Sequence, residues 1–210
     1  MKGIFITFEG GDGAGKTTQI NRLHGALEGA GISCLLTREP GGTQIAERIR
    51  DLVLLSDEPR TAITELLLIF AARAEHTREV ICPALESGQW VLCDRYTDAS
   101  YAYQGGGRGI PDETIAQVEA VATGGLKPDL TVLLDIGIDE GGHRISSREM
   151  DRDRFESEAM DFKRRVRDAY LRRHRAEPER IHLIDALASV ESIGDRILEL
   201  VQPFMPKTDQ

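Results

Sequence analysis

Eight residues near the start of the chain have the types and spacing of an anion cradle. Gly10-Gly11-Asp12-Gly13-Ala14-Gly15-Lys16-Thr17 satisfies G-x-x-x-x-G-K-[ST] at every fixed position. Glycines let the backbone turn its N–H groups inward around a phosphate, and a helix starting at the end of the loop adds a partial positive charge. Lys16 would reach the β- and γ-phosphates, the Thr17 hydroxyl can ligate Mg²⁺, and Thr18 follows in the same helical turn. A chain of this composition yields about 0.005 chance matches, so the motif is read as a nucleoside triphosphate site.

Such a loop needs a strand before it and a helix after it, and both are legible. Ile4 to Phe8 is a short apolar, β-rich run that stops at Glu9-Gly10-Gly11; Ile20, Leu23 and Leu27 then recur at helical spacing until Gly29 and Gly31. Ile32 to Thr37 reads as a second strand, closed by Arg38-Glu39-Pro40-Gly41-Gly42. Ile45, Ile49, Leu52 and Val53 mark a helix, and a longer one runs from about Thr61 to Ser87, bent near its end by Pro83. Trp90 to Cys93 is a third strand with Asp94-Arg95 at its carboxyl end, and a helix through Ile115, Val118, Val121 and Ala122 follows Pro111-Asp112. Leu130 to Ile136 is nearly continuous in apolar residues, as expected of a strand covered on both faces. Ile181 to Ile184 is the last strand, and Val190, Ile193, Ile197, Leu198 and Val201 make a closing helix. The predicted fold class is α/β: a five-stranded parallel sheet with helices on both faces, a P-loop NTPase-type three-layer sandwich. It forms one domain over residues 1–210, with a small basic lid at about 141–156.

Length and composition agree with that reading. The 210 residues are 40% hydrophobic and 29% charged, a globular balance. The net charge of −9 argues against a surface that grips nucleic acid. No apolar run approaches the roughly 18 residues that span a bilayer, and Gly3 to Phe8 is too brief for a signal segment, so no membrane association is expected. Cys34, Cys82 and Cys93 lack metal spacing and read as reduced core thiols of a cytoplasmic protein.

Three classes of phosphate-loop protein compete. A regulatory GTPase needs Asn-Lys-x-Asp, and the one asparagine here, Asn21, lies in the first helix. A transporter or motor ATPase would show a Gln- or Ser-Gly-Gly signature or two adjacent acids ending a strand, whereas Leu133-Leu134 runs into Asp135-Ile136. A small kinase remains, with an acceptor site at the strand carboxyl ends and a basic lid. Its acceptor could be one of several small molecules, and an ATP-sensing switch is the reading outside the enzymes. Arg95 sits where open α/β sheets bind ligands; its guanidinium can hold a phosphate bidentately or pair with Asp94. Arg38 occupies the equivalent end of the second strand.

Thr37-Arg38-Glu39-Pro40-Gly41-Gly42-Thr43, the run from Asp94 to Gly105 (D-R-Y-T-D-A-S-Y-A-Y-Q-G), Pro128-Asp129-Leu130-Thr131 and Asp153-Arg154-Phe155-Glu156 together resemble the thymidylate kinase family. The resemblance covers nearly the whole chain in order. It implies ATP and Mg²⁺ as cofactors, dTMP as the acceptor, a reaction ATP + dTMP ⇌ ADP + dTDP, and a homodimer. It supports the phosphate role of Arg95, which Arg38 shares by its strand-end position alone, and points Asp12, with Glu39 in a related role, at the sugar 3′-hydroxyl and the magnesium water shell. It sets Ser100 and Gln104 near the thymine ring, where a hydroxyl and an amide can read O4 and N3–H, and Tyr103 against the ribose 2′ position.

Phe70 and Arg73 share a helix face at i, i+3 and are expected around the base. Family members often carry the stacking Phe four residues before the Arg, which here is Ile69, so Phe70 over the thymine and a rearranged stacking are both open. From Arg144 to Arg175 the chain has eleven Lys/Arg and seven Asp/Glu, and the group Arg148, Arg152 and Arg154 precedes a helix starting near Phe155. Some family members carry an arginine where this loop has Gly13, so the charge at the transferring group is expected from Arg148 first and Arg152 second. Arg144 is placed near the adenine.

Overall fold

The computed structural model of the protein describes residues 2–56, 58–141, 154–155 and 158–206. Five parallel strands form one sheet: β1 (Phe5–Gly10), β2 (Cys34–Arg38), β3 (Trp90–Asp94), β4 (Leu130–Asp135) and β5 (Ile181–Asp185), in the spatial order β2-β3-β1-β4-β5. All six residues of the central β1 are buried, the polar Thr7 and Glu9 included, as expected of a strand covered on both faces. Side chains still divide by the period of two. Ile6 and Phe8 join Leu92, Val132 and Leu134 on one face, while Phe5 joins Val91 and Cys93 on the other.

The first face is covered by α1 (Lys16–Gly29) and the closing α8 (Val190–Val201), which bring Leu23, Leu27, Ile193 and Ile197 onto it. The second face carries α3 (Ala62–His76) with its continuation, α6 (Asp112–Thr123) and α7 (Met160–Ala176). The helix α2 (Gln44–Leu54) is capped by Thr43 and packs on α3. The long helix expected from Thr61 to Ser87 is present as α3, a π-helical turn Thr77–Ile81, and α4 (Cys82–Glu86). The wide turn lies just before Pro83, which has no N–H to donate and whose ring would crowd the carbonyl four residues back.

Two elements differ from the sequence reading. The segment after Arg95 is helical, as α5 (Thr97–Ser100) and a π-helical run Tyr101–Gly107. Its aromatic and glycine-rich sequence carries no apolar period, and packing against α7 sets its form. The charge-dense helix expected near Phe155 begins at Met160. Arg144, Arg148 and Arg152 lie outside the described residues.

Gly106 and Gly107 allow α7 its close approach. A Cβ on Gly106 would stand 2.6 Å from the Arg165 carbonyl oxygen, and one on Gly107 would enter the Phe162 ring. Gly106→Ala is expected to lower unfolding stability by about 1–3 kcal/mol through backbone displacement, read as a lower urea midpoint with an unchanged slope.

Candidate active site

The phosphate loop follows β1 and turns through residues 10–15 into α1. Gly10 has φ 133° and lies so near β4 that a Cβ would meet the Leu134 carbonyl oxygen at 2.2 Å; Gly13, at φ 80°, faces the Gly141 carbonyl oxygen in the same way at 2.6 Å. A side chain at Gly10 would collide with the sheet backbone, and one at Gly13 would have to displace Gly141. Lys16 folds back over the loop, its Nζ donating to the carbonyl oxygens of Gly10 (3.3 Å) and Gly11 (3.4 Å). Burial lowers its pKa and so does the charge of Arg95, with Asp94, Asp12 and Glu9 opposing. Thr17 and Thr18 are exposed on the first turn of α1, where the free N–H groups point at an incoming anion.

Arg95, at the carboxyl end of β3, has φ 72°, in the left-handed region that side-chain-bearing residues rarely adopt. That backbone turn sends its guanidinium across the sheet edge toward the loop. Nη1 donates to the Gly10 carbonyl oxygen (3.0 Å) and the Tyr170 hydroxyl (3.1 Å), and Nη2 to Asp12 Oδ1 (2.7 Å). The guanidinium also lies 4.9 Å from the Tyr103 ring centroid. Burial works against its charge, but Tyr103, Tyr170, Asp12 and Asp94 outweigh it and raise the pKa. The alternative pairing with Asp94 gives way to Asp12 as the ion-pair partner.

Behind Arg95 stands a fully buried carboxyl group, Glu9. Its Oε1 accepts from the Tyr96 backbone N–H (2.8 Å) and its Oε2 from the Tyr170 hydroxyl (2.7 Å), so Tyr170 on α7 bridges Glu9 and Arg95. Burial and the charge of Asp98 push Glu9 up to about 7, against the pull of Arg95 and the two hydrogen bonds. Sequence reasoning missed this network. Glu9 appeared only as the end of a strand, and Tyr170 lies 161 residues away.

A cavity of about 230 Å³ opens beside the loop at the carboxyl ends of the strands. It brings together Asp12, Gly13, Lys16, Arg38, Glu39, Arg73, Arg95, Ser100, Tyr103 and Gln104, all singled out from the sequence. Arg73 is nearly fully buried, with Nε on Glu39 Oε2 (2.6 Å), Nη1 on Ser100 Oγ (2.8 Å) and Nη2 on the Tyr96 carbonyl oxygen (2.9 Å). Gln104 Nε2 donates to Glu65 Oε1 (3.0 Å). A second cavity of about 80 Å³ adjoins this one at Asp12 and Tyr103, between β4 and α7.

Three expected residues are placed differently. Phe70 packs into a core cluster with Leu66, Tyr101 and Ile115, and Ile69 faces the cavity; one residue is a 100° turn of the helix. Phe70 instead supports Arg73, whose guanidinium lies 4.5 Å from its ring centroid. Both Glu39 oxygens are engaged, by Arg73 and by His76 Nδ1 (3.0 Å), so it braces Arg73 rather than reaching outward. Arg38 pairs with Glu47 at the exposed rim (3.0 Å).

The donor set for a divalent cation has one addition. Asp94 Oδ1 is buried with no hydrogen-bond partner among the described residues, and Asp94 lines the cavity. A carboxylate oxygen left open beside a phosphate loop, with the exposed Thr17 hydroxyl, is an oxygen-only set that suits Mg²⁺. Among the described residues no three His, Cys, Asp or Glu gather as a metal cluster.

The profile of the family described as thymidylate kinase matches residues 8–197. The thymidylate kinase of Pseudomonas syringae pv. tomato is 53% identical over 202 residues, covering 94% of this chain and 96% of that one. That of Pseudomonas putida (strain GB-1) is 52% identical over 194 residues, 92% of each. Among solved structures, the crystal structure of thymidylate kinase from Ehrlichia chaffeensis is similar at a TM-score of 0.79 and 33% identity, over 96% of this chain and 99% of the other.

The burial of Glu9 has a measurable consequence. Its carboxyl titrates at about 7 in the folded protein against 4.5 unperturbed, so the folded state binds the proton more tightly. Stability is unaffected while both states are protonated, falls as pH rises from about 4.5 to about 7, and stays lowered above that. Glu9→Gln keeps the side chain neutral and is expected to stabilise the protein at about pH 8 relative to about pH 5, compared with wild type, by up to about 3 kcal/mol. Urea unfolding of both proteins at the two pH values measures it.

Proposed function

The chain belongs to the thymidylate kinase family, and we propose that the cavity beside the phosphate loop is where it transfers the γ-phosphoryl group of ATP to dTMP. The observation that carries this reading is one continuous space joining the loop residues Asp12 and Lys16, through Arg95, to the polar trio Arg73, Ser100 and Gln104. A phosphate between Lys16 and Arg95 and a base near Gln104 match the two ends of a nucleoside monophosphate.

Transfer forms a bond from a dTMP phosphate oxygen to the γ-phosphorus and breaks the bond from that phosphorus to the β-phosphate oxygen, giving dTDP and ADP. The acceptor is a dianion near neutral pH, so no general base is needed, and the rate rests on alignment and on offsetting crowded negative charge. Lys16 leaves the loop carbonyl oxygens for the β- and γ-phosphates. Arg95, held by Tyr170 and Gly10, exchanges its contact with Asp12 for the acceptor phosphate and fixes the attack line. Asp12 then faces the sugar 3′-hydroxyl, and Tyr103 fills the space a ribose 2′-hydroxyl would need. Thr17 and Asp94 would hold Mg²⁺, which when bound supplies positive charge to the transferring phosphates. Arg148 and Arg152 are assigned to the transition state, where one arginine contributes about 10³–10⁵ in rate, and Arg144 to the adenine.

The protein is read as cytoplasmic; no helix among the described residues is long and apolar enough to cross a membrane. It is also read as a homodimer. Ile45, Leu52 and Leu55 from α2 and its end, with Ile63 and Leu67 from α3, leave apolar side chains exposed on two packed helices.

Release of ADP from Mg-ATP, with dTMP, dUMP, dCMP, AMP, GMP and thymidine offered separately, tests the function. A preference for dTMP of tenfold or more, about 1.4 kcal/mol, is expected. Preference for another acceptor overturns the thymine assignment, and no stimulation by any of them overturns the kinase. Lys16→Ala is expected to abolish turnover with an unchanged melting curve. Equilibrium sedimentation at micromolar concentration is expected to give twice the 23.2 kDa chain mass; a monomer overturns the dimer.

A further inference from the structure

Glu65, in the first turn of α3, is an acidic side chain 1% exposed, and nothing in the transfer chemistry uses it. Its Oε1 accepts from Gln104 Nε2 (3.0 Å) and Arg108 Nε (3.1 Å), and its Oε2 from Arg108 Nη2 (3.1 Å). Arg108 is itself fixed by an ion pair to Glu158 and lies 4.7 Å from the Phe162 ring centroid. Glu65 does not line the cavity, whereas Gln104 does.

A side-chain amide has a donor end and an acceptor end, and a carboxylate paired with a guanidinium only accepts. With Glu65 beside it, Gln104 has one tolerable orientation: N–H₂ toward Glu65, carbonyl oxygen away from it. Turning the amide over would set two oxygens against each other in a buried site. The cavity is therefore offered an acceptor at Gln104. Next to it, Ser100 Oγ accepts from Arg73 and keeps its own proton free to donate. A pyrimidine with a 4-oxo group and an N3–H matches this donor and acceptor. A pyrimidine with a 4-amino group and a bare N3 meets donor with donor and acceptor with acceptor. An unrestrained amide could turn over and accept either.

We propose that Glu65 is a positioning residue that sets the hydrogen-bond polarity of the base site by locking Gln104, and so excludes 4-amino pyrimidines. The inference rests on the assignment of the cavity to dTMP with its base at Gln104.

The test is the ratio of kcat/KM for dTMP to that for dCMP in wild type, Glu65→Gln, Gln104→Ala and the double variant E65Q/Q104E. In E65Q, Arg108 claims the new carbonyl oxygen, the new N–H₂ faces Gln104, and Gln104 can turn. The ratio is expected to fall about 10- to 100-fold, chiefly through a lower KM for dCMP, while kcat for dTMP stays within about threefold. The double variant returns an acceptor-only group to position 104 and is expected to restore the ratio to within about threefold of wild type. A role in stability alone would lower the melting temperature and leave the ratio where it was. Should E65Q fail to fold, Glu65→Met keeps the volume and also frees the amide. An unchanged ratio in the folded position-65 variant, with a reduced ratio in Q104A, overturns the role of Glu65. An unchanged ratio in Q104A as well shows that the base does not lie at Gln104, and the assignment of the cavity fails with it.

Discussion

A carboxyl group with no access to water sits at the end of the central strand, and the geometry of the site is arranged around it. Glu9 takes a backbone N–H from the segment after β3 and a hydroxyl from α7, and that hydroxyl receives Arg95. Three pieces of chain far apart in sequence meet on one side chain. Burying a carboxyl is unfavourable unless its oxygens are satisfied, and the partners that satisfy it hold the arginine facing the phosphate loop. The neighbouring Asp98 extends the arrangement outward, its carboxylate receiving Arg173 from α7 and Arg180 before β5. The helix following the expected lid is thereby tied to the sheet by charge as well as by the Phe162, Val166 and Tyr170 packing.

Two polar side chains that line the cavity, Arg73 and Gln104, are held from behind by buried carboxylates. Arg73 rests on Glu39, which rests on His76, which rests on Thr37 at 2.6 Å. Gln104 rests on Glu65, which Arg108 holds in turn. Side chains held this way lose little freedom when a ligand arrives, which is what preorganisation means physically. Lys16 is held differently. Its long hold on two loop carbonyl oxygens is weak enough to be exchanged for phosphate oxygens.

The phosphate loop was legible in the sequence because its chemistry is local. Eight consecutive residues supply the turn, the helix start and the charges, and no distant segment is needed to recognise them. The strands and most helices were legible because burial imposes periods on the sequence, two for strands and 3.6 for helices. Those periods vanish where structure is dictated by a neighbour. Residues 97–107 are helical although their aromatics and glycines follow no helical period, because Gly106 and Gly107 let α7 press against them. Which residue faces the base was open for a similar reason: the i, i+3 spacing puts Phe70 beside Arg73, but it does not say that the guanidinium reaches the cavity while the ring turns into the core.

By itself, then, the sequence determined the α/β class, the five strands in order, the phosphate loop with Lys16 and Thr17, and the residues at the strand ends that line the cavity. Each of these is written in short-range patterns or motifs that a chain carries before it folds. The tertiary structure alone decided who stands behind them. Glu9 under Arg95, Glu39 and His76 under Arg73, Glu65 beside Gln104 and the open oxygen of Asp94 are pairings across 34 to 161 residues or a vacancy among such pairings. A buried polar group takes whichever partner the packed layers bring within hydrogen-bond reach, and that proximity has no signature in spacing.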